Sequence, residues 1–216
     1  MLRDLLDALR CPADHDETWL IALVQRAEGP SLVEATLSCP LCSARYAIRD
    51  GVGDFGGRPA SDVVPRDGTL IVPTLPDADA LAAWLGVTGG LTPVALAGQC
   101  TTLGAAIGAL VEVPQLWINP DATPSPAASA LVTPQRAPLG SGTLAALAVD
   151  ATHAATPSLL HSLVRAVRHG GRVVAPAWAT LPAGLTAVAR DDAWQVADVA
   201  TPARGLVTLR RRPPDV

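Results

Sequence analysis

The stretch that most restricts how this chain can fold runs from Thr92 to Leu110, TPVALAGQCTTLGAAIGAL. Val94 to Ala97 reads as a short buried strand, Gly98 as the turn after it, and Leu103 to Leu110 as a helix of small residues. A strand that turns on glycine into a helix leaves free N–H groups and the positive end of the helix dipole facing outward, which is how nucleotide-like cofactors are held. Further strands are expected at Gln115 to Asn119, near Ala130 to Thr133, at Leu144 to Val149 and at Arg172 to Pro176, with a helix over Pro157 to Arg168. An earlier helix, capped by Asp77 or Asp79, should run through Trp84 and Leu85 to Gly86. Strands alternating with helices imply an α/β chain with a mainly parallel, doubly wound sheet. Trp194 to Val199 and Gly205 to Arg210 read as an antiparallel pair at its end, and Leu70 to Val72 as a short β-branched run.

The 216 residues suffice for one such domain and a small appendage, and with 49% hydrophobic and 17% charged residues the chain can bury a core. All 16 basic residues are Arg, and the net charge of -4 argues against a protein held on nucleic acid by bulk electrostatics. The clusters Arg165, Arg168, Arg172 and Arg210, Arg211, Arg212 read as solvated surfaces. The N-terminus, MLRDLLDALR, is an amphipathic helix pattern, not a signal peptide. The uncharged run from Ala80 to Val111 is broken by Gly89, Gly90 and Pro93 and suits a buried α/β core better than a membrane span. The expectation is a cytoplasmic protein without a transmembrane segment.

Three of the four Cys fall within the first 42 residues, a distribution that fits a metal site better than disulfides. Cys11-Pro-Ala-Asp-His15 and Cys39-Pro-Leu-Cys42 flank two strand-like runs separated by Gly29-Pro30, the layout of a zinc ribbon, in which the metal replaces a core too small to form. The first knuckle lacks its second Cys. Cys11, Cys39 and Cys42 are therefore three expected zinc ligands, and the fourth is His15, imidazole being the commoner partner of thiolates, with Asp14 as the alternative. Residues 54–68 lack an apolar period and read as a linker. The organisation expected is a ribbon over 1–55, a linker over 56–68 and a Rossmann-like domain over 69–212.

LLDALRCPAD and SCPLCSARYAIRDGVGDF resemble the Trm112 family of small zinc-ribbon proteins, with Tyr46, Ile48, Arg49, Asp50, Gly51 and Val52 on its last motif and Ala47 in place of a usual Pro. The resemblance implies a module that binds and stabilises S-adenosylmethionine-dependent methyltransferases, here fused to its own partner. LLHSLVRAVRHGGRVVAP and RAPLGSGTLAALAVD in turn are similar to the late helix, Gly-Gly turn, fifth strand and fourth-strand approach of class I methyltransferases. Against that pattern Leu96 replaces an acidic residue, Cys100 and Thr102 replace the second and third glycines after Gly98, and Ala145 stands at the usual Asp. Asn119, with Asp121 two residues on, occupies the place of the carboxylate that grips the ribose.

These departures disfavour S-adenosylmethionine binding. The leading expectation is a non-catalytic accessory or scaffolding subunit, a pseudo-methyltransferase that presents a surface to a protein partner or multi-subunit complex, either soluble or on the cytoplasmic face of a membrane. Trp19, Trp84, Trp117, Trp178 and Trp194 are where such an interface would show if exposed. The alternative is an active methyltransferase with a divergent loop, using Gly98, Asn119 and Asp121 for the cofactor and Asp150 on the substrate side. A zinc-dependent enzyme is disfavoured because a ribbon site is closed. Cys100 reads as a small buried residue, and His153, His161 and His169 as surface or capping residues around one helix.

Overall fold

The computed structural model describes residues 1–57, 71–124 and 128–201. A six-residue 3-10 helix, Arg3–Ala8, opens the chain and buries Leu5, with Leu9 buried just beyond it; it is shorter than the helix expected to reach Arg10. Four strands follow as an antiparallel meander: β1 (Ile21–Glu28), β2 (Ser31–Ser38), β3 (Arg45–Arg49) and β4 (Val52–Asp54). The first two match the expected hairpin, whereas β3 and β4 form over the Tyr46 to Asp54 stretch, where the sequence pattern alone points to no strand. Most of the linker expected over 56–68, and the first residue of the Leu70 to Val72 run, lie outside the described residues.

The second part alternates helices and strands: α1 (Ala78–Leu85), β5 (Val94–Ala97), α2 (Gly104–Leu110), β6 (Gln115–Ile118), β7 (Ala128–Val132), β8 (Leu144–Val149), α3 (Ala151–Ala154), α4 (Pro157–Ala166), β9 (Val167–Pro176), β10 (Leu185–Arg190) and β11 (Trp194–Val199). Strands β5 and β8 take the bounds expected of them, and α1 ends at Gly86 as expected. The helix expected to begin at Leu103 is preceded by a 3-10 turn over Gly98–Leu103, so the chain starts to coil directly after β5.

The eleven strands of the described residues form one sheet in the order β1-β2-β3-β4-β7-β6-β5-β8-β9-β11-β10. The stretch from β4 to β9 is parallel throughout, β4 joining the meander to β7 through Val52, Gly53 and Asp54. Beyond β9, β11 runs antiparallel to both of its neighbours. Among the described residues the hairpin partner of Trp194–Val199 is Leu185–Arg190; the Gly205 to Arg210 run of the expected pair lies outside them. An expectation built on the later run passes over β10 because that strand has no buried face.

The parallel strands are buried on both faces, which is why they read as continuous apolar runs and not as alternating ones. Their period of two still sorts residues between two cores. Ala95 and Ala97 of β5 and Leu116 and Ile118 of β6 face a core that also takes in Leu159 and Leu163 of α4 and Leu32, Leu37 and Ile48 of the meander. Val94, Leu96 and Trp117 face the opposite core, with Leu81 and Leu85 of α1 and Ile107 of α2. Helices thus cover both faces of the sheet, and the chain is an α/β protein with a doubly wound centre.

Candidate functional site

Two constellations of chemistry-bearing side chains form, one beside the meander and one at the carboxyl ends of the central strands. The first joins Cys11, His15, Cys39 and Cys42, whose ligand atoms all lie within 4.8 Å of one another. Cys11 Sγ is 3.7 Å from Cys42 Sγ and Cys39 Sγ is 3.4 Å from His15 Nε2. A tetrahedral ion with its usual bond lengths to sulfur and imidazole nitrogen needs ligand atoms about 3.5–3.8 Å apart, so the spacing is that of the four corners around one ion. His15 Nδ1 is 2.7 Å from the Asp16 carbonyl and donates to it, leaving the Nε2 lone pair for the cluster. Burial pushes the Cys39 thiol up, but the N–H groups of Cys42 and Leu41 and the neighbouring thiols outweigh it and draw the thiol down to about 6, which favours the thiolate a metal needs. The Cys/His group could hold a metal ion. Asp14 is not part of it: its side chain is fully exposed, 3.5 Å from Arg136.

The second constellation sits where the sheet order reverses. From β5 the chain crosses to β6 on one side and later to β8 on the other, and the crevice above such a point is where open α/β sheets place ligands. Gly98 follows β5 with φ 57°, Asn119 follows β6 with φ 46°, and Asp150 follows β8. Asp150 Oδ2 accepts the Gln99 N–H at 3.0 Å, while Oδ1 accepts the His153 N–H at 2.9 Å and the imidazole Nδ1–H at 2.6 Å. The imidazole Nε2 then accepts from Asn119 Nδ2 at 3.0 Å. The Asn119 amide closes on Thr133, whose N–H it accepts at 2.8 Å and to whose carbonyl it donates at 2.9 Å. Asp150, His153 and Asn119 are all buried. Burial raises the Asp150 carboxyl, but the hydrogen bonds it accepts from His153 and the Gln99 N–H outweigh it and hold the group below the ordinary carboxylate range.

Sequence reasoning misses His153. It is neither a surface residue nor a simple cap, and the signal lies in Asp150-Ala-Thr-His153, an acid and an imidazole at helical spacing directly after a buried strand. His169 is also not on the helix with His161, because α4 ends at Ala166 and His169 lies in β9 with Nδ1 2.8 Å from the Ala200 carbonyl. Cys100 is buried as expected, and burial, with the Asp150 charge, pushes its thiol far up. Asp121 is exposed just past β6, its N–H 3.2 Å from Thr101 Oγ1. Of the tryptophans, Trp117 and Trp194 are buried, and Trp19 and Trp178 are exposed. Among the described residues no helix is long and apolar enough to cross a membrane.

The crevice, closed as it is, does not fit S-adenosylmethionine. The space against Gly98 is filled by Asp150 and His153, and Cys100 and Thr101 are fully buried beneath the turn.

No family model and no curated protein matches the chain. Among solved structures it is similar to the antibiotic-resistance methyltransferase Kmr, at 16% identity and a TM-score of 0.37, over 61% of this chain and 100% of that one. It is also similar to geranyl diphosphate C-methyltransferase from Streptomyces coelicolor A3(2) in complex with S-adenosyl-L-homocysteine, at 17% identity and a TM-score of 0.35, over 45% of this chain and 41% of that one. A third is the T. thermophilus 16S rRNA N2 G1207 methyltransferase RsmC in complex with AdoMet and guanosine, at 14% identity and a TM-score of 0.32, over 88% of this chain and 47% of that one. The matches thus span less than half the length of the last two proteins. The expectation of a non-catalytic, pseudo-methyltransferase scaffold is corrected at this point, because every one of these neighbours is named as a methyltransferase and two hold the donor or its product. What the likeness gives this chain is its architecture: a mixed α/β protein with a large sheet, similar to Rossmann-like methyltransferases.

Proposed function

We propose that the chain is an S-adenosylmethionine-dependent methyltransferase with a divergent donor loop and a structural zinc site. The observation that carries the reading is the strand order from β7 to β10, in which one strand, β11, is inserted antiparallel into an otherwise parallel doubly wound sheet. That arrangement, with the resemblance of residues 136–150 and 159–176 to class I segments, supports a donor site near the carboxyl ends of β5 and β6. In this reading Gly98 provides the turn after β5, Asn119 lies buried at the end of β6, and Asp121 stands exposed beyond it. No catalytic step is assigned, because Asp150 and His153 fill the space the donor would take.

Residues 1–55 form the ribbon in this reading, with Cys11, His15, Cys39 and Cys42 as zinc ligands, and residues 69–212 form the transferase unit. Three thiolates and one imidazole leave no open coordination position, so the zinc is structural. Calorimetric titration with S-adenosylmethionine tests the function: saturable one-to-one binding that competes with S-adenosylhomocysteine is expected. Absence of binding up to millimolar donor, in the native chain and in a variant with an emptied crevice, would end the reading.

A further inference from the structure

Away from the strand ends, a cavity of about 500 Å³ opens between the loop of the first knuckle and α4. Its volume is in the range of small-molecule sites. The guanidiniums of Arg10, Arg136 and Arg165 line it against two carboxylates, Asp14 and Glu17, so it carries an excess of positive charge in a chain whose net charge is -4.

The three cations are not equally committed. Glu17 is shared by two of them, its Oε1 3.4 Å from Arg10 Nε and its Oε2 accepting from Arg165 Nη1. Arg10 also donates to the Asp7 and Leu9 carbonyls at 2.7 and 2.9 Å, and Arg165 to Ser141 Oγ and the Leu139 carbonyl, both at 3.0 Å. Arg136 is held through one nitrogen: Nη1 is 3.4 Å from the Pro12 and Ala13 carbonyls and 3.5 Å from Asp14, a fully exposed carboxylate whose pull water screens. Its Nε and Nη2, the pair of donors that meets an oxyanion side by side, have no acceptor among the described residues. His161 and Ser158 of α4 line the same cavity, exposed and without a hydrogen-bond partner among the described residues.

We propose that this cavity binds the phosphate of a small phosphorylated molecule. Arg136 takes two phosphate oxygens through Nε and Nη2, and the His161 N–H and Ser158 O–H donate to the others. Donors beyond the guanidinium fork favour a phosphate over a carboxylate, which the fork alone would satisfy. The negative net charge of the chain favours a small molecule over a nucleic-acid backbone. The site is independent of the methyltransferase reading.

The test is a titration of the full chain with inorganic phosphate, ionic strength held constant with sodium chloride, followed on the arginine Nε–H signals by NMR. A saturable shift confined to Arg136, with millimolar half-saturation, is expected. Arg136→Gln should abolish binding, and Arg136→Lys, which keeps the charge and loses the fork, should weaken it about tenfold. His161→Gln, at an exposed position, should weaken it several-fold without changing the melting temperature. Unsaturated shifts spread over several arginines, native affinity in Arg136→Gln, or acetate binding as tightly as phosphate would overturn the proposal. If Arg136→Gln does not melt cooperatively, His161→Gln decides, and native affinity there would overturn it.

Discussion

Cys11 Sγ lies 3.7 Å from Cys42 Sγ across 31 residues of sequence, in a chain whose fourth cysteine is buried elsewhere beside Asp150. The thiols are brought together by the β1–β2 meander, which returns the second knuckle to the end of the first 3-10 turn. His15 completes the group and Asp14 does not.

Zinc content should therefore separate two neighbouring residues. Purified protein is expected to hold one equivalent, Asp14→Ala to keep it, and His15→Ala and Cys39→Ser to lose it. Loss of the ion should lower the melting temperature by about 6–12 °C, equivalent to about 3 kcal/mol in a chain of this size. Retention of a full equivalent by His15→Ala would contradict the ligand set.

Asp150 links stability to pH. Its carboxyl titrates below the ordinary value of about 3.9 in the folded chain, so the stability it contributes is complete above that value and is lost as pH falls through the folded one. Asp150→Ala should cost about 2–4 kcal/mol at neutral pH, because it leaves the Gln99 N–H and the His153 ring without their acceptor. It should also flatten the decline of the urea midpoint below about pH 4. A variant with the native acid limb would contradict the assignment.

The two glycines at φ 57° should differ in what alanine costs. At Gly29 an added methyl would meet no atom within 4 Å, so Gly29→Ala carries only the backbone penalty, about 1–2 kcal/mol. Gly98→Ala adds a collision with the Asp150 carboxylate and should cost at least twice as much. Denaturant melts of the two variants provide the comparison, and equal losses would mean that the crevice is not tightly filled.

Cys100 should be chemically silent. It is fully buried and its thiol is pushed up by burial and by Asp150, so iodoacetamide at pH 8 should leave it unmodified in folded protein and label it in urea. Peptide mass spectrometry reads the difference. Labelling of Cys100 in folded protein would show that the turn after β5 opens readily.

The centre of the fold is legible in the sequence because its signals are local and redundant. Val94 to Ala97 and Leu144 to Val149 are short apolar runs bounded by turn residues, and burial on both faces gives such runs no other reading. Strand β10 is not legible, since LTAVAR on an exposed edge has no buried face to impose a pattern. The metal group can be read from cysteine spacing, and the preference for His15 over Asp14 from ligand chemistry, because imidazole is the commoner partner of thiolates; the structure groups His15 with the three thiols. His153 escapes notice for the opposite reason: its partners Asp150 and Asn119 follow two different strands, and only the sheet order makes them neighbours.

The crystal structure of the native chain soaked with S-adenosylhomocysteine tests the central claim most directly. The nucleoside is expected near the carboxyl ends of β5 and β6. Density for the ligand at another place, or no bound ligand at saturating concentration, would contradict that claim.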